Sequence, residues 1–112
     1  MSLTAKKRIL SENSQISKPV TSVPSASKTV KIVNELGLHA RAAASFVKLS
    51  TRFQSEIFVE KGKTRVNGKS IMGLLMLAAG KGVKLELSAI GPDATVAIEK
   101  LALLVSKGFN EK

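Results

Sequence analysis

The single histidine of the chain, His39, stands two residues before an arginine in Gly37-Leu38-His39-Ala40-Arg41-Ala42-Ala43-Ala44. A neutral imidazole is a nucleophile near neutral pH, and Arg41 could pair with the charge that a modified imidazole acquires. The alanine-rich run that follows favours a helix. His39 therefore falls at a helix entrance, where unpaired backbone N–H groups and the positive end of the helix dipole favour an anion. Nucleophile, cation and helix end together describe a site that could carry a phosphoryl group. Alone the pattern is weak, because a lone histidine before a helix is more often a loop or capping residue.

A second stretch with chemical potential is Asn67-Gly68-Lys69-Ser70, followed by Ile71-Met72-Gly73-Leu74-Leu75-Met76-Leu77. Ser70 stands where a helix N-cap is wanted, and a serine there is first of all a cap. The helix after it is short and apolar all round, so it cannot bury its whole circumference at the surface of a small domain. Two readings remain open. Either Leu74, Leu77 and Ala78 fill the core while Ile71, Met72 and Leu75 are merely half-exposed, or the latter three form a docking patch, for which methionine is well suited.

The elements that must position these stretches follow from periodicity. Thr29-Val30-Lys31-Ile32-Val33 alternates and reads as a strand with Val30 and Ile32 inward. A loop, Asn34 to Leu38, leads to a helix from about Ala40, whose Ala42, Phe46, Leu49 and Phe53 form one apolar stripe. Glu56-Ile57-Phe58-Val59-Glu60 and Lys63 to Val66 read as two strands joined at Gly62 in a hairpin. After the helix at Ile71, Val83 to Ala89 alternates cleanly as a fourth strand with Val83, Leu85, Leu87 and Ala89 on one face. Gly91-Pro92-Asp93 opens a last helix through Ala94, Ala97, Ile98, Leu101, Leu104 and Val105, and Lys107-Gly108 suits its end. The order βαββαβα, with strands apolar on one face only, predicts an α+β open-faced sandwich: a four-stranded, mainly antiparallel sheet covered on one face by three helices.

Composition narrows the alternatives. At 112 residues the chain holds one modest core, too small for a doubly wound enzyme or a barrel. The absence of cysteine excludes a disulfide framework and thiolate metal sites, one histidine argues against a histidine-based metal site, and no metal is expected. A formal charge of +10 raises nucleic acid, anionic membranes and acidic proteins as partners. With no tryptophan or tyrosine and four phenylalanines, stacking platforms for single strands are scarce, and no nucleic-acid reading motif is present. No apolar run reaches the length of a membrane span, no membrane insertion is expected, and no secretory signal is evident, so a cytoplasmic setting is expected. Residues 1–28, rich in serine, lysine and proline and including Lys6, Lys7 and Arg8, read as a disordered basic extension. Residues 29–112 read as the folded domain.

Leu36-Gly37-Leu38-His39-Ala40-Arg41 before a helix, then Asn67-Gly68-Lys69-Ser70-Ile71-Met72-Gly73-Leu74, in this element order, resembles the HPr family, the phosphocarriers of the bacterial phosphotransferase system. The resemblance runs from about Thr29 to Lys107. It implies that His39 is phosphorylated on Nδ1 by enzyme I from phosphoenolpyruvate, that Arg41 stabilises the phosphoryl charge, and that the group passes to an enzyme IIA-type acceptor. It implies further that Ser70 is the serine modified in some bacteria by an HPr kinase/phosphorylase. Ala40, Ala44, Val47 and Lys48 with Ile71, Met72 and Leu75 would form the shared docking surface. Such a protein is a substrate of enzymes rather than a catalyst, carries no cofactor and works as a monomer. The alternative is a regulatory HPr-like protein that docks to a protein partner under control of Ser70 phosphorylation. The family usually has proline directly after the arginine; Ala42 stands there instead and leaves the helix entrance less rigid. Together with the basic extension, this leaves a nitrogen-type regulatory branch open beside sugar uptake.

Overall fold

The computed structural model describes residues 23–111. Its elements are β1 (Ser25–Lys31), α1 (Ala40–Ser50), β2 (Glu56–Lys61), β3 (Thr64–Asn67), α2 (Ile71–Met76), β4 (Lys84–Ile90) and α3 (Ala94–Ser106), with a 3-10 turn at Gly108–Asn110. The four strands form one antiparallel sheet in the order β1-β4-β2-β3. Alternation decides its two faces. Val30 opposite Leu85, Leu87 opposite Val59, and Ile57 opposite Ala89 are buried, while Lys84 and Glu86 remain exposed. α3 lies against β1 and β4, and α1 joins it and α2 in the helical layer. The expected open-faced sandwich is therefore the observed one.

β1 begins at Ser25, inside the segment assigned from sequence to the extension, because Ser25 to Lys28 pair with Ile90 to Leu87. The reason is local. Lys28 occupies an inward register position opposite Leu87 and interrupts the apolar alternation between Ala26 and Val30. An edge strand tolerates such a lysine because its long stem can carry the ammonium to water, and the charge also discourages pairing with a further strand. The remainder of the proposed extension, residues 1–22, lies outside the described residues.

Two loops are fixed by specific contacts. The Asp93 side chain does not cap α3; it accepts hydrogen bonds from the backbone N–H groups of Gln54 and Ser55 at 2.9 and 3.0 Å and from the Ser55 hydroxyl. The Ser55 hydroxyl, then the Gln54 N–H, hold its carboxyl below the ordinary aspartate range. The α1–β2 connection is thereby tied to the start of α3. At the other end of the site, Ser50 is fully buried and donates its hydroxyl to the carbonyl of Gly68 at 2.7 Å. Gly68 itself leaves no room for a side chain, since an added Cβ would lie 2.5 Å from Ile57 Cγ2.

Helix α2 divides its apolar residues. Leu74 and, just beyond the helix, Leu77 are buried, but Ala78 is exposed in a left-handed conformation, φ 49°, and Ala79 takes the inward place. The chain must turn there toward β4, so helical periodicity no longer governs which residue faces the core. Lys61 Nζ donates to the Leu77 carbonyl at 2.9 Å and satisfies one of the open carbonyls at the helix end.

Candidate functional site

His39 is the N-cap residue of α1, with extended backbone, φ −79° and ψ −177°. Its carbonyl accepts the Ala43 N–H at 2.8 Å and opens the helix, but its side chain makes no capping bond. No acidic residue occupies the first turn of α1. The N–H groups that begin a helix have no intrahelical acceptor, so this entrance offers donors and a positive dipole to an anion. The position is fixed from the preceding loop. Leu38 N–H donates to the Ala79 carbonyl at 2.8 Å, and Gly37 packs so closely that an added Cβ would meet the same oxygen at 2.6 Å. Gly37 also has φ 66°, so glycine is required there twice over.

The imidazole makes no capping bond to its own helix and pairs instead with the C-terminal segment. Nε2 lies 2.6 Å from Glu111 Oε2, and the other carboxylate oxygen accepts from Asn34 Nδ2 at 2.9 Å. Asn34 is buried, and the same amide nitrogen also donates to the Gly37 carbonyl at 2.8 Å. An ionised carboxylate only accepts, so Nε2 must carry the hydrogen of this contact. Among the described residues Nδ1 has no such partner, and the side chain is 27% exposed. Partial burial pushes the Glu111 carboxyl upward, yet the Asn34 amide, the His39 hydrogen bond and the His39 and Arg41 charges outweigh it and hold the group below its ordinary range.

Glu111 arrives from the far end of the chain. α3 stops at Ser106, Phe109 is buried, and Phe109 and Asn110 adopt left-handed backbone, φ 57° and 63°, that turns the tail back on the α1 entrance. His39, Ala40 and Arg41 on one segment and Phe109, Asn110 and Glu111 on the other line an open cleft of about 740 Å³. Arg41 is exposed there. Sequence reasoning missed Asn34 and Glu111. Nothing in local spacing relates His39 to a residue 72 positions away; the only hint was a buried-type residue, Phe109, placed beyond a glycine that ends a helix.

The second stretch is placed as expected. Ser70 is the N-cap of α2, and its hydroxyl accepts the Gly73 N–H at 3.0 Å. Ile71 and Leu75 are exposed and Met72 is 72% exposed. Met76, not singled out from the sequence, is 76% exposed. On the neighbouring α1, Ala40, Ala44 and Lys48 are exposed and Val47 is half-buried. The structure thus leaves apolar side chains open on α2 and small or basic ones on α1.

Comparison with known proteins bears directly on this arrangement. The family model described as the PTS HPr component phosphorylation site matches residues 26–107. The chain belongs to the HPr family. The phosphocarrier protein HPr of Neisseria meningitidis is 48% identical over 84 residues, 75% of this chain and 94% of that protein. The HPr-like protein Crh of Bacillus subtilis is 46% identical over 78 residues, 70% of this chain and 92% of that protein. Among solved structures, HPr-C-His from Thermoanaerobacter tengcongensis superposes with a TM-score of 0.75 at 44% identity, covering 78% of this chain and 98% of that one. HPr proteins are phosphocarriers of the phosphotransferase system rather than catalysts. Among the described residues no helix is long and apolar enough to cross a membrane.

Proposed function

We propose that this HPr-family protein accepts a phosphoryl group on Nδ1 of His39 from phosphorylated enzyme I and passes it to an enzyme IIA-type acceptor in the cytoplasm. The observation that supports this reading is the state of the imidazole. One ring nitrogen is engaged by Glu111, the other has no hydrogen-bond partner among the described residues, and Arg41 lines the same cleft. In the transfer the Nδ1 lone pair forms the bond to phosphorus as the donor's bond breaks, and the leaving group keeps that electron pair. The α1 entrance and Arg41 then stabilise the phosphoryl charge moderately. A stronger anion site would trap the group, whereas a carrier must release it. Most of the transition-state stabilisation falls to the partner enzymes, which reach the site across the exposed faces of α1 and α2.

Incubation with enzyme I, phosphoenolpyruvate and magnesium should place one acid-labile phosphoryl group on His39. An unlabelled wild type across cognate enzyme I preparations, or equal labelling of His39→Ala, would overturn the reading.

A second reading concerns Ser70 as a target of an HPr kinase/phosphorylase, with the chain acting by docking as a regulator. It is favoured by the position of the hydroxyl beside Ile71, Met72 and Leu75. A phosphate there suits the helix N-terminus but opposes apolar docking. Labelling of Ser70 by such a kinase, with a partner response retained in His39→Ala, would favour regulation over relay.

A further inference from the structure

We infer that Glu111, held by Asn34, is a positioning residue that fixes His39 as its Nε2–H tautomer and so reserves the Nδ1 lone pair for the phosphoryl group. The consequence for transfer rests on the carrier reading above, but the tautomer itself does not.

A free neutral imidazole distributes its proton between two nitrogens, and only a nitrogen without the proton can attack phosphorus. Glu111 removes that freedom. Its Oε2 lies 2.6 Å from Nε2, and a carboxylate oxygen can only accept, so the proton is held on the side away from the attacking nitrogen. The carboxylate is itself oriented, because Asn34 Nδ2 donates to Oε1 and is in turn anchored on the Gly37 carbonyl. Buried Phe109 fastens the tail from which Glu111 projects. This is the arrangement by which a carboxylate behind a histidine sets tautomer and ring orientation in other nucleophilic sites. When Nδ1 bonds to phosphorus, the ring becomes positively charged with its proton still on Nε2. Glu111 faces that proton, so the cationic ring lies between the carboxylate and the phosphoryl group.

The decisive variant is Glu111→Gln. Asn34 can only donate from Nδ2, so it keeps the new amide's oxygen and turns its NH2 toward His39, which then accepts at Nε2 and carries its proton on Nδ1. Proton–nitrogen correlation spectra of the 15N-labelled imidazole, at mildly alkaline pH, should show mainly Nε2–H in wild type and a shift to Nδ1–H in Glu111→Gln. Glu111→Asp should restore part of the wild-type signature. Labelling by enzyme I should slow about tenfold in Glu111→Gln and recover in part in Glu111→Asp. An unchanged tautomer ratio in folded Glu111→Gln, or a changed ratio with an unchanged labelling rate, would overturn the inference. A wild type that is never labelled would instead sink the carrier reading, and the tautomer ratio would still decide the role of Glu111.

Discussion

His39 and Ser70 occupy the same position on two neighbouring helices, both with extended backbone and both offering their carbonyl to the N–H four residues on. Their side chains are used differently. Ser70 bends back and accepts the Gly73 N–H, which satisfies one donor of α2. His39 leaves the donors of α1 open and reaches outward to Glu111, at the opposite end of the sequence. A helix start can be capped by a side chain or left without one, and the fold does one at each entrance. The capped entrance opens a six-residue helix with little cohesion of its own, and the open one begins an eleven-residue helix that packs Ala42, Ala43 and Phe46 into the core.

That contrast is broken most sharply by His39→Ala. Phosphoryl uptake from enzyme I should fall by at least about a thousandfold, since the attacking atom is gone. Folding stability should change by only about 0.5 kcal/mol, because no capping bond is lost and the bond to Glu111 that goes with the ring is partly exposed to water. Labelling with radioactive phosphoenolpyruvate and urea unfolding of the same sample test both halves. A large loss of stability would mean that His39 holds the helix as Ser70 does.

Ser70→Asp addresses the other entrance. Aspartate caps as well as serine does, so α2 should keep its stability, but a negative charge now stands beside Met72 and Leu75. Affinity for enzyme I should drop about tenfold, which calorimetry can read and which corresponds to about 1.4 kcal/mol. Unchanged affinity would remove α2 from the docking surface. Ser70→Ala separates cap from charge: it should cost about 1 kcal/mol of stability while leaving the rate of His39 labelling intact.

Much of this layout was legible in the sequence, and what escaped did so for identifiable reasons. Alternation in Leu85, Leu87 and Ala89 and the stripe through Ala42 and Phe46 fixed the faces of β4 and α1, because burial of apolar side chains dictates both. Ser70 could be read as a cap because the capping contact is local, three residues long. β1 was read too short because Lys28 holds an inward register position that only an edge strand allows. Ala78 broke the helical pattern because the chain turns there with φ 49°. Asn34 and Glu111 escaped for a different reason. The bonds of Glu111 to His39 and to Asn34 exist only once α3 has packed on the sheet and Phe109 has been buried, so no window of sequence contains them.

The smallest expected effect separates the two entrances by pH. Glu111 has its carboxyl lowered from the ordinary 4.5 in the folded protein, so across the window below that value the unfolded chain binds more protons than the folded one. The pair with His39 and Asn34 therefore contributes stability that is present above 4.5 and is lost as pH falls through the lower folded value. The contribution is modest because water screens the partly exposed pair. The Ser70 cap is neutral and has no such dependence. In urea unfolding followed from neutral pH into acid, Ser70→Ala should lower the midpoint equally at every pH. Glu111→Gln should lower it at neutral pH and flatten the acid limb, with the remaining slope including that of Asp93, whose carboxyl is also lowered by its bonds to Ser55 and Gln54. An acid limb as steep in Glu111→Gln as in wild type would mean that the tail contributes no net charge energy at the α1 entrance, and that the open helix start is held by Gly37 and the core alone.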